Sequence, residues 1–82
     1  MPYAEFLQTT DEGEQEVIGR AVLAAGTMTL SVPDELANTL SAGVRVNRNG
    51  VWKTITPDKG EAFLKALPEV FNGAYLRARY VP

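Results

Sequence analysis

The sequence predicts one α+β domain over residues 1–82: a mostly antiparallel sheet of about five to six strands, with two helices packed on one face. Three observations carry that expectation. Thr27–Val32 and the C-terminal stretch 74–81 alternate apolar and polar side chains with the two-residue period of a half-buried strand. Phe63, Leu64, Leu67, Val70 and Phe71 repeat at helical spacing. Turn-forming pairs, Asn49-Gly50 and Asn72-Gly73 among them, separate these runs.

In chain order, Tyr3–Thr9 is expected as a first strand, joined through the Asp11-Glu12-Gly13 turn to residues 14–25. That second segment fits two descriptions. Val17, Ile18, Ala21, Val22 and Ala25 share one face of a helix, yet Gly19 costs about 1 kcal/mol there and Val17, Ile18 and Val22 favour strands. A strand turning at Ala25-Gly26 is the preferred assignment. In Thr27–Val32, Met28, Leu30 and Val32 point inward, and Thr27, Thr29 and Ser31 point outward. Pro33-Asp34-Glu35 then opens a short helix with Leu36, Ala37 and Leu40 as its stripe and Gly43 as its stop.

Val44–Ile55 reads as a hairpin. A type I turn with a glycine bulge over Asn47-Arg48-Asn49-Gly50 places Trp52 with Val44 and Val46 on the core face, and Arg45 and Lys53 outside. The rival two-residue Asn49-Gly50 turn puts Lys53 beside the valines. It is disfavoured because it brings an ammonium towards the core.

Thr56-Pro57-Asp58 looks like a helix start: a capping threonine, proline at the first helical position and an acid in the first turn. Pro68 is expected to kink the helix or split off its last turn, and Asn72-Gly73 to end it in a left-handed conformation. Burial of its two phenylalanines and two leucines is worth roughly 6–12 kcal/mol gross. In the last strand, Leu76, Ala78 and Tyr80 face in, with Tyr75, Arg77, Arg79 and Val81 facing out.

Composition narrows the chemistry. There is no histidine and no cysteine, which removes the usual neutral-pH acid/base, the thiol nucleophile, disulfides and thiolate zinc sites. The acidic run from Asp11 to Glu16 lacks the frame of a calcium loop, and Asp58 with Glu61 reads as helix-start electrostatics. Ser31 and Ser41 would each need a desolvated lysine as base, but Lys53, Lys59 and Lys65 are all expected in solvent. The scattered glycines make no phosphate loop or dinucleotide fingerprint. The expectation is therefore a non-enzyme with no catalytic residues, cofactor or metal.

No apolar run approaches the roughly 18 residues of a membrane span, and the first residues show no signal peptide. A soluble cytoplasmic protein, with no membrane association, is expected. Net charge is −2, unevenly placed: residues 1–42 hold one arginine against seven acids, and residues 43–82 hold seven basic residues against three acids. If the hairpin and the last strand are neighbours, Arg45, Arg48, Lys53, Tyr75, Arg77 and Arg79 form one basic sheet face. Protein–protein contact or self-association through that face is the expected activity. The alternative is a nucleic-acid-binding module, with cations on phosphates and rings on bases, against which stands a sequence pI near 5.0.

Overall fold

The computed structural model describes all 82 residues. Its elements are β1 (Tyr3–Thr9), β2 (Gln15–Ala24), β3 (Thr27–Ser31), α1 (Asp34–Ser41), β4 (Val44–Arg48), β5 (Val51–Ile55), a 3-10 turn (Pro57–Lys59), α2 (Glu61–Val70) and β6 (Leu76–Val81). Six strands, all paired antiparallel, and two helices give the expected α+β class. Within residues 14–25, Gln15–Ala24 form a strand, and the β2–β3 turn falls at Ala25-Gly26, both residues with positive φ.

The strands do not form one sheet. Four of them associate in the order β3-β2-β1-β6, while β4 and β5 pair only with each other. The expected sharing of a sheet by the hairpin and the last strand is therefore corrected. The reason lies in α2, where Phe63, Leu64, Ala66 and Leu67 are all fully buried. A helix so apolar has more than one side to cover, and α2 packs against β1 and β6 of the large sheet and against β4 of the hairpin.

Small residues let the layers approach. Phe6 is fully buried on the inner face of β1, with Ala4 beside it, Ala21 and Gly19 on β2, and Ala78 on β6. Its ring meets Phe71 edge-on, centroids 5.3 Å apart. Opposite Phe6, β2 carries an extra residue: Leu7 pairs with Val17 but Phe6 with Gly19, so Ile18 forms a bulge.

Three local expectations are also corrected. The hairpin takes the two-residue turn, with Arg48 paired to Val51 and positive φ at both Asn49 and Gly50. That type I′ geometry matches the twist of the flanking strands, and Asn47 Oδ1 accepts the Gly50 N–H at 2.9 Å. Trp52 consequently stands outside, 59% exposed, while Lys53 lies opposite Val46. The ammonium stays wet nonetheless, because β5 is the outer strand of the hairpin and Lys53 is exposed.

Thr56-Pro57-Asp58 starts only the 3-10 turn. Gly60, at φ 63°, breaks it from α2. The Thr56 hydroxyl donates to the Asp58 carboxylate and holds that acid below its ordinary value of 3.8. At the other end α2 runs through Pro68 to Val70 and stops at Phe71, whose φ of −106° and ψ of 85° leave the helical range, and Gly73 has no positive φ. The chain turns back as Phe71 C=O accepts the Ala78 N–H at 2.7 Å.

Candidate interaction face

Apart from Glu5, the buried residues of the large sheet, Ala4, Phe6, Ala21 and Ala78, belong to its inner face, and the opposite face is left open. Strand register arranges that open face in rows. Thr29, Val22, Tyr3 and Val81 form one, and Ser31, Arg20, Glu5 and Arg79 the next. Val17, Leu7 and Arg77 follow. Thr9 closes the end: its N–H donates to Tyr75 C=O and its hydroxyl to Ala74 C=O, each at 2.9 Å, so the exposed Tyr75 is anchored beside the face.

Glu5 is the centre of this arrangement. It is the only buried charged residue, at 4% exposure, and it lies directly across from Arg20 on one side and Arg79 on the other. Arg79 donates to one carboxylate oxygen, and Arg20 Nε stands 3.4 Å from the other. No buried side-chain polar atom lacks a partner. Arg20 also lies 5.9 Å from the centroid of the Tyr3 ring, and Arg77 donates to Gln15 Oε1 at 3.0 Å. Two cations on one acid leave the row with a net positive charge, held in a fixed geometry. Neither Glu5 nor Arg20 was marked by sequence reasoning. An acid in an otherwise apolar strand was the available signal, but its partners sit 15 and 74 positions away along the chain.

The carboxylate has two partners, so the arginines should back each other up. Arg20→Ala and Arg79→Ala are each expected to cost about 1 kcal/mol, because both guanidiniums are more than half exposed. The double variant should cost about 3 kcal/mol, since it leaves Glu5 buried without a counter-charge. Urea unfolding of the four proteins measures this coupling, and strictly additive losses would contradict it.

Of the six residues expected to share a basic face, Tyr75, Arg77 and Arg79 lie together on or beside the open sheet. Arg45, Arg48 and Lys53 do not join them. Arg45 lies over the Trp52 ring at 5.1 Å, Arg48 is paired with Glu69 of α2, and Lys53 stands across from Val46. A shallow hollow of about 370 Å³ beside Trp52 and Val70 is what the hairpin presents instead.

No family model, curated protein or solved structure matches the chain. No three acids converge as a metal site would need, and no helix is long and apolar enough to cross a membrane. What the face can do chemically is bind. Guanidiniums held in place offer directed donors, and Tyr3, Leu7, Val17, Val22 and Val81 offer apolar area between them.

Proposed function

We propose that this chain is a non-catalytic binding domain that holds an acidic, partly apolar surface of a protein partner on the open face of its four-stranded sheet. The observation that carries this reading is the Arg20–Glu5–Arg79 row, fixed among half-buried apolar side chains on a face that nothing in the fold covers. Ordering cations before a partner arrives reduces the side-chain entropy lost on binding. Arg77 and Tyr75 extend the same face towards the β1–β2 turn, and arginine and tyrosine are the residue types enriched where interfaces concentrate their energy.

A second reading keeps the same surface and changes the ligand. Three arginines flanked by Tyr3 and Tyr75 also suit single-stranded nucleic acid, with phosphates on the guanidiniums and bases on the rings. The net charge of −2 weighs against it.

Tyr75→Ser combined with Arg77→Glu tests the proposal, because both residues are exposed and neither belongs to the buried ion pair. Affinity isolation from the native host should recover a polypeptide with the wild-type chain and lose it with the variant. Titration with single-stranded oligonucleotides at low salt should give no binding. Salt-dependent binding, weakened by the variant, would favour the second reading. Light scattering across concentration separates a foreign partner from self-association.

A further inference from the structure

We propose that the N-terminal half of β2 is a strand-addition site for an extended, basic segment of another polypeptide. β2 runs from Gln15 to Ala24, but β3 pairs only with Arg20–Ala24. The chain then leaves the sheet: the Ser31 carbonyl and Val32 press against Gly19 so closely that a Cβ there would lie 2.5 Å from Ser31 O. Beyond that crossing, Gln15–Ile18 has β1 on one side and no strand on the other.

The orientation of the backbone follows from alternation in an antiparallel ladder. Thr10 N–H donates to Glu14 C=O at 2.7 Å, so Glu14, and then Glu16, turn their peptide groups towards β1. Gln15 and Val17 therefore direct N–H and C=O away from the sheet, where no other backbone group meets them. This is a short row of free donors and acceptors at an edge.

Hollows flank that edge on both faces. One, of about 350 Å³, is lined by Ile18, Leu36, Phe71 and Leu76 with Glu35 and Gln8 at its rim. The other, of about 430 Å³, is lined by Val17, Ile18, Val22, Arg20 and Ser31. Ile18, the bulged residue, belongs to both. An added strand directs successive side chains to opposite faces, so alternate residues would enter the two hollows in turn.

Charge selects the occupant. Glu16 lies opposite Gln8 and so shares the face of the first hollow with Glu35, while Asp11, Glu12 and Glu14 stand at the adjoining turn. A lysine or arginine fits that side: its stem lies on Leu36 and Leu76 and its charge reaches the acids. The second hollow, with the Arg20 guanidinium already given to Glu5, suits a valine or threonine. Two copies of this acidic edge would repel each other, which disfavours pairing between copies of the chain. The second hollow borders the arginine row through Arg20 and Ser31, but the free backbone of Gln15 and Val17 is not part of that row, and its occupancy does not depend on the open-face reading.

The test uses the full chain labelled with 15N and a short blocked peptide alternating lysine and valine. Binding should slow hydrogen exchange at the Gln15 and Val17 amides. The same peptide N-methylated on its edge-facing residues should bind at least about tenfold more weakly, as should a glutamate–valine analogue. Glu16→Lys should reverse the preference between the lysine and glutamate peptides. Tyr75→Ser alone, which keeps the Arg77–Gln15 hydrogen bond, should leave peptide binding unchanged, which separates failure here from failure of the open face. Absence of binding at low salt, shifts confined to the Asp11–Glu14 turn without amide protection, or undiminished affinity of the methylated peptide would each overturn the proposal.

Discussion

Phe6→Ala is expected to remove about 3–5 kcal/mol of stability, the largest loss from any single truncation of the sheet. The side chain is fully buried and meets the edge of the Phe71 ring. Its neighbours cannot collapse into the space it leaves. Ala4, Ala21, Ala78 and Gly19 are too short to reach it, and Leu64 and Leu67 belong to a helix that also packs on the hairpin. The cavity would therefore persist, and the cost of an unfilled cavity adds to the lost transfer energy. A domain of this size starts with about 5–15 kcal/mol, so the variant should melt at least about 12 °C lower, at roughly 4 °C or more per kcal/mol. Thermal and urea unfolding followed by circular dichroism measure it. A loss below about 1 kcal/mol would mean that Phe6 does not sit at the centre of the core.

Gly19→Ala tests the same architecture from the other side, because its sign is diagnostic. Gly19 has no positive φ, so alanine is conformationally permitted and, in open space, would stabilise by about 0.4–1 kcal/mol through the unfolded state. The structure leaves no such space. An added Cβ would lie 2.5 Å from the Ser31 carbonyl oxygen and 2.8 Å from Val32 Cα, both backbone atoms. Relief requires moving the end of β3 together with the segment that starts α1. The expected result is a loss of about 1–3 kcal/mol. Stabilisation, or no change, would show that the Ser31–Val32 crossing is not where the structure places it. The free edge of β2 would then lose its boundary as well.

Local order was legible from residue pattern, and long-range order was not. Tyr3–Thr9 is a strand between the residues expected, Thr27, Thr29 and Ser31 face solvent, and Pro33-Asp34-Glu35 opens a helix, because each depends on side-chain period and on proline geometry within a few residues. Sheet partition depends instead on which strands meet. Alternation in Val44–Ile55 and in Leu76–Val81 is the same whether they share a sheet or are bridged by α2. In the hairpin, a lysine opposite Val46 is costly only where both faces of the ribbon are covered. The outer strand leaves the ammonium in water, and the left-handed tolerance of Asn49-Gly50 decides the turn.

Half of the candidate site was accessible in the same way. Tyr75, Arg77 and Arg79 follow from alternation in the last strand. Glu5 and Arg20 acquire their role only through pairing across β1, where register brings Arg20 and Arg79 to either side of one carboxylate. Arg45, Arg48 and Lys53 were grouped with them by charge alone and are held elsewhere, over Trp52, against Glu69 and opposite Val46.

Site-specific photo-crosslinking in the native host tests the open face most directly. A benzophenone amino acid at position 29 or 75, on or beside that face, should capture another polypeptide, identified by mass spectrometry. The adduct should disappear when Arg77→Glu is added, and the same probe at the exposed position 62 of α2 should give none. Adducts from position 62 alone, or from positions 29 and 75 with no sensitivity to Arg77, would contradict a role for the arginine-bearing face.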